Sequence, residues 1–303
     1  MSRKGRLCLV FIFLFQAGYS QNDTIQGLPT EIPVVDSIAV IQNPVSKEIK
    51  VLHKREPVYT INPAVDIPII AAGTGFTLYA TTQIYTKGAS TEEQINNLNT
   101  ADINAFDRWA INPYSKSLDK FSYFPFNASF AFPLVMFLFK EDTKQDFWKL
   151  SFLYWESLSI TGLFGAGTPF VVDRYRPYSY SMETPMEQRT VQNAKNSAFS
   201  GHVEVIATST FFIAKVYGDY YPETKLVMYG IASLATGSMA YMRLKGGMHF
   251  PSDVIIGATI GTLSGILVPQ YHKTKSTSGA SMSILPYSTG ENNGLVFTYK
   301  FKN

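Results

Sequence analysis

The sequence predicts an all-α protein: a bundle of six long helices, with a short β-hairpin-like tail at the C-terminus. The first observation behind this is a set of four windows, 17 to 19 residues long, without a single charge: Ile67–Tyr85, Phe121–Phe139, Leu226–Met242 and Val254–Gln270. The second is a pair of interrupted windows, Leu150–Val172 with Glu156 inside it and His202–Tyr217 with Glu204 and Lys215. The third is the alternation of these windows with short polar turns. Segments of this length are close to the ~20 residues that cross a bilayer, which favours a membrane-embedded bundle over a soluble one. Small residues such as Gly257-Ala258-Thr259-Ile260-Gly261 suit the close approach of helices in lipid.

The chain opens with a different element. Arg3, Lys4 and Arg6 precede nine apolar residues, Leu7–Phe15, and Gly18 and Ser20 supply small residues before Gln21. That pattern predicts a secretory signal peptide over residues 1–20, since nine apolar residues fall well short of a span. Its removal takes three of the 26 basic residues and no acidic one, leaving 23 against 23. The net charge of +3 is therefore no hint of an anionic partner, and no nucleic-acid partner is expected. Cys8, the one cysteine, goes with the leader, so neither a disulfide nor a thiol nucleophile is expected in the mature chain.

Residues 21–57 read as an extended lead-in, 58–271 as the helical domain and 272–303 as linker and tail. Lys273–Ser281 is rich in Ser, Thr and Gly, and Met282–Tyr287 and Leu295–Phe301 bracket a loose turn, as in a hairpin.

The chemistry concentrates in three short segments, each beside an apolar window: Asp173-Arg174-Tyr175-Arg176-Pro177, Phe199-Ser200-Gly201-His202, and Arg243 through Asp253. Guanidinium groups fork onto phosphate oxygens and neutralise the charge of a phosphoryl transition state. Ser200-Gly201 ahead of a helix offers backbone N–H groups to an anion. His249 and Asp253 are four apart, so a carboxylate can hold one imidazole nitrogen and leave the other to attack, with His202 protonating the leaving oxygen.

These segments resemble the type 2 phosphatidic acid phosphatase (PAP2) superfamily, which includes lipid phosphatases, soluble bacterial acid phosphatases and vanadium haloperoxidases. Arg176-Pro177, Ser200-Gly201-His202, Arg243, His249 and Asp253 match its three motifs in order. The resemblance implies a six-helix PAP2-like bundle and a hydrolase of phosphoric ester or diphosphate bonds that needs no metal and no cofactor. It makes His249 the nucleophile that becomes a phosphohistidine, Asp253 its orienting group and His202 the general acid. Arg176, Arg243, Ser200 and Gly201 would bind phosphate.

Three positions depart from the pattern: Pro169 stands where the family has lysine, Phe199 where it has proline, and Met242 where it has serine. Arg174, Lys195 and Lys245 are candidate auxiliary cations for the lost lysine. The expected activity is a metal-independent phosphatase on a lipid phosphate of the cell envelope. The alternatives are a vanadate-dependent haloperoxidase or a catalytically impaired lipid-phosphate-binding protein. Partners implied are a phosphorylated lipid or other phosphate ester, and the membrane. The expected location is the inner membrane with a periplasm-facing site, or a soluble or peripheral periplasmic form. A cleaved leader followed by six spans would instead turn the site inward; the ways out are that Ile67–Tyr85 does not span, that the leader is retained, or that the bundle is soluble or peripheral, and the first and third keep the site in the periplasm. Glu156 and Glu204 are costly inside apolar windows and could flank the phosphate, pair with a cation or pack helices. His53 and His272, in basic surface-like runs, are expected to have no role.

Overall fold

Each apolar window becomes one long helix in the computed structural model: α1 Pro63–Ile84, α2 Lys116–Met136, α3 Phe147–Val171, α4 Gly201–Tyr220, α5 Lys225–Lys245 and α6 Pro251–His272. The structure describes residues 57–274 and the backbone of two strands, β1 Ser281–Ser288 and β2 Asn293–Lys300. The leader and all but the last residue of the lead-in lie outside the described residues. The strands pair antiparallel, from Ser281 opposite Lys300 to Ser288 opposite Asn293.

Helix starts follow local chemistry. Pro63 and Pro251 occupy the first turns of α1 and α6, where a missing N–H costs nothing. The Ser115 hydroxyl accepts from Leu118 N at the start of α2. Successive helices run in opposite directions, across the two long connections 85–115 and 172–200 as well as the short ones, so the ends of α1, α3 and α5 share one end of the bundle with the starts of α2, α4 and α6. Ser200 N donates to Asp253 O at 3.1 Å across that end, and Asn112 Nδ2 donates to Leu244 O at 3.2 Å. At the far end Thr60 N donates to His272 O at 2.9 Å, tying the entry of α1 to the exit of α6.

The core runs along α4, where 13 of 20 residues are buried, against four on α5. α4 packs against α6, α5, α2 and α3, while α1 lies on α3. The far-end core gathers Tyr59, Phe137, Leu150, Tyr154, Phe212 and Val216. A smaller cluster of Val203, Ile206, Met239 and Val254 lies beneath the motif end. Gly257, Gly261 and Gly265 form a stripe on α6 that meets the backbone carbonyls of Ser200, Glu204 and Thr208. A Cβ at Gly257 would stand 2.7 Å from Ser200 O and one at Gly265 2.5 Å from Thr208 O, with Gly261 closer still. The stripe therefore lets the two backbones touch.

Among the described residues, α1 and α6 are long and apolar enough to cross a membrane. The other four mix apolar stretches with charges such as Lys116, Asp119 and Lys120 on α2 or Glu204 and Lys215 on α4. Large apolar side chains face outward on every long helix except the central one, among them Leu78, Phe124, Phe164, Leu234 and Leu267.

Candidate active site

The three motif segments meet at one end of the bundle because backbone hydrogen bonds strap them together. After α3 the chain runs extended. Arg174 N donates to Lys195 O at 2.9 Å, Ser197 N to Arg174 O at 3.0 Å, and Arg176 N to Ala194 O at 2.8 Å. The segment leading into α4 is thereby laid beside the first motif. The turn between α5 and α6 depends on Gly247, whose φ is +69° and whose Cβ would strike the carbonyls of Asn112 and Pro113. Its own carbonyl accepts from Tyr178 N at 3.0 Å, tying the third motif to the first.

His249 sits in that turn, buried. Its Nδ1 lies 2.8 Å from Ser197 O, and a carbonyl can only accept, so the proton belongs on Nδ1. Nε2 is left with a lone pair, 3.2 Å from Arg176 Nη1. Burial first, then the charges of Arg176 and Arg243, hold this imidazole well below its usual range. The group is a neutral imidazole facing a guanidinium.

Arg176 is held by Met248 O at 2.8 Å and by Asn193 O at 2.9 Å. Arg243, 1% exposed, is fixed through Nη1 to Asp119 Oδ1 at 2.9 Å and Ser122 Oγ at 2.7 Å, which leaves its buried Nε without a partner. His202 stacks on Phe126 with ring centroids 4.2 Å apart and meets Tyr123 edge-on at 4.8 Å. Its buried Nε2 has no partner, and neither has the buried hydroxyl of Ser200. Three buried polar atoms without protein partners, at the same end of the bundle as a neutral imidazole, suit a tetrahedral oxyanion.

The family model for the PAP2 superfamily matches residues 128–277. The chain belongs to this superfamily. Similarity also extends to the crystal structure of a transmembrane PAP2-type phosphatidylglycerolphosphate phosphatase from Bacillus subtilis. That match has 18% identity over 67% of this chain and 94% of that one, with a TM-score of 0.40. No curated protein matches the chain significantly. PAP2 membership makes a phosphatase of the PAP2 type the activity class, and the geometry can be set against the family's motif roles residue by residue.

Two expectations need correction. Asp253 does not touch His249. Its carboxylate accepts from Ser197 Oγ at 2.7 Å and Phe250 N at 3.0 Å and pairs with Arg174, so its hold on the nucleophile passes through Ser197. The Ser200 amide is not free for phosphate either, because it donates to Asp253 O; at this helix start the Gly201 amide and the Ser200 hydroxyl remain.

None of the candidate auxiliary cations takes the place of the lysine missing from the PAP2 pattern. Arg174 bridges two carboxylates, Asp253 and Asp107, the latter at 2.7 Å, and its guanidinium lies over the Phe250 ring at 4.6 Å. Its charge is spent on positioning. Lys245 is exposed at the end of α5, and Lys195, half-buried, has no side-chain partner among the described residues. A different lysine reaches Pro169: Lys87 donates to the Pro169 carbonyl and pairs with Asp173 at 2.6 Å.

Asp107, Asp119, Ser122, Asn193 and Ser197 escaped the sequence reading. Asp107 is fully buried in the short helix Ala105–Arg108. Burial pushes its carboxyl up, but hydrogen bonds from Ser252, Asn104 and Arg174 outweigh that and keep it below the usual carboxylate range. The one usable signal was Asp119 three residues before Ser122 at the polar end of an otherwise uncharged window.

Proposed function

We propose that the protein is a membrane-embedded phosphatase that cleaves a lipid phosphate or diphosphate through a phosphohistidine on His249, without a metal at this site. The observation that carries this reading is the set of orphaned polar atoms (Arg243 Nε, Ser200 Oγ and His202 Nε2) at the motif end, together with an imidazole whose Nε2 keeps its lone pair, turned to Arg176 Nη1 at 3.2 Å. In the forward step Nε2 attacks phosphorus, the P–O bond to the leaving group breaks, and His202 gives its proton to the departing oxygen. Arg176, Arg243 and the Gly201 amide face the equatorial oxygens. In the return step His202 takes a proton from water, the new oxygen bonds to phosphorus, and the P–N bond breaks to release phosphate and neutral His249.

Two observations favour a lipid in a bilayer. Outward apolar side chains on five of the long helices are surface that lipid tails would cover. An open groove of about 500 Å³ between α2 and α5, lined by Phe121, Leu234, Gly237, Tyr241 and Met242, runs beside Arg243 and suits an acyl or prenyl chain.

The test is phosphate release by purified protein in the presence of a chelator, from phosphatidic acid, a polyprenyl diphosphate and lipid A. Turnover should vanish in His249→Ala; a variant that keeps the wild-type rate sinks the mechanism. We take the motif end to face the periplasm, which with a cleaved leader requires that α1 pack on α3 without crossing the bilayer. With Cys8 in the leader, a single Lys245→Cys should be labelled from outside by an impermeant maleimide, and protection from label would put the site in the cytoplasm.

A further inference from the structure

At the end of the bundle away from His249, three ionisable side chains from three helices meet inside the protein. Asp66 lies in the first turn of α1, Glu156 within α3, and His272 closes α6; they are 1%, 3% and 5% exposed. His272 is therefore not the surface residue its basic neighbours suggested. Its Nε2 stands 3.2 Å from Asp66 Oδ2 and 3.5 Å from Glu156 Oε2, and one donor atom from each residue lies within 4.8 Å of the others.

The tautomer sets the problem. His272 Nδ1 is 2.9 Å from Val268 O, which can only accept, so Nδ1 carries a proton. In a neutral ring Nε2 then aims a lone pair at two carboxylate oxygens. Both Nε2 and Glu156 Oε2 are buried without a hydrogen-bond partner. A positive species must sit among them, either one proton, held by the ring or by a carboxyl, or a metal ion.

Distance and charge favour the metal. Charge-assisted N–H···O bonds close to about 2.7–2.9 Å, shorter than both separations here. Ligands about 2.0–2.2 Å from a tetrahedral Zn²⁺ stand roughly 3.3–3.6 Å from one another; the 3.5 Å separation lies in that range and the 3.2 Å one just below it. A proton would leave one net negative charge buried, whereas a divalent ion with a neutral imidazole leaves none. The nitrogen donor argues against Mg²⁺ or Ca²⁺, which take oxygen ligands. The Val268 carbonyl on Nδ1 is the outer-shell partner that fixes a metal-binding histidine.

We infer that Asp66, Glu156 and His272 form a structural site for a divalent transition ion of the Zn²⁺ type, with water in the fourth position, clamping α1 to α3 and α6. This ion has no part in the phosphoryl chemistry at the other end.

The experiment uses the full chain without a histidine tag, loaded with equimolar Zn²⁺, gel-filtered and analysed by mass spectrometry of the metal. About one zinc per chain is expected, falling at least tenfold in Glu156→Gln and His272→Gln, and unchanged in His249→Ala, so this result is independent of the phosphatase reading. Should those variants not fold, Co²⁺-loaded wild type decides: it should show the intense visible bands of a tetrahedral ion, displaced by Zn²⁺, and a Tm lowered by dipicolinate. Zinc retained equally by the variants, or a wild type that holds no metal and whose Tm neither Zn²⁺ nor chelator moves, overturns the site.

Discussion

The carbonyl oxygen of Ser197 faces Nδ1 of His249 at 2.8 Å, while the hydroxyl of the same serine donates to Asp253 at 2.7 Å. One residue thus passes the hold of the carboxylate to the imidazole. Ser197→Ala keeps the carbonyl and loses the tether, a loss of about 1–1.5 kcal/mol that lowers kcat roughly tenfold. His249→Gln should cost on the order of 10⁴-fold or more. Steady-state rates of the two variants give the comparison, and equal rates for Ser197→Ala and wild type would remove the relay.

The depressed basicity of His249 sets a pH dependence. Burial and then the charges of Arg176 and Arg243 lower its pKa, so the nucleophile stays neutral below about pH 6.5, the ordinary imidazole value. The acid limb of kcat/KM belongs below that pH, and in Arg176→Gln the residual rate should have its limb shifted upward. For stability the sign is the same. The unfolded chain takes up a proton near pH 6.5 while the native ring does not, so stability from this group is full above that pH. It falls as the pH drops from there towards the native value. His249→Gln should flatten the acid fall of Tm over that window.

Arg174 separates Asp107 from Asp253. In Arg174→Met both carboxylates stay at the motif end without their cation, which should cost about 3 kcal/mol, the low end for a broken buried pair because the arginine is 27% exposed. Lys195→Ala, with no side-chain partner to lose, should change stability by less than about 0.5 kcal/mol. Denaturant midpoints distinguish the two, and similar values would mean the bridge is not structural.

Gly261→Ala puts a methyl group against the Glu204 carbonyl. Overpacking of this kind costs about 1–3 kcal/mol. Gly230→Ala on α5, where a Cβ meets nothing within 4 Å, should be neutral or stabilising by up to about 1 kcal/mol. Paired thermal melts read the contrast.

The six helices and the motif residues were legible because absent charge and fixed spacing are properties of the chain itself. Arg174 and Arg176 were not separable that way: two residues apart in one extended segment, they differ only in what lies opposite, Asp107 for one and His249 for the other. Asp107 gains its relevance only once the α1–α2 connection meets Arg174 and Ser252, and Asp119 only once α2 meets Arg243 on α5. His272 was misread because Lys273 follows it in sequence, whereas the neighbours that bury it, Asp66 and Glu156, are 206 and 116 positions away.

Gly257 lies against the carbonyl of Ser200, two residues before His202 on α4 and four after Asp253 on α6. The contact therefore works as a spacer of zero thickness between the helix that carries His202 and the one that follows His249, the proposed proton donor and nucleophile. Any side chain there would push the start of α4 away from α6, and with it the proposed reacting groups from each other. At this position the tolerance of the scaffold and that of the chemistry are a single dimension.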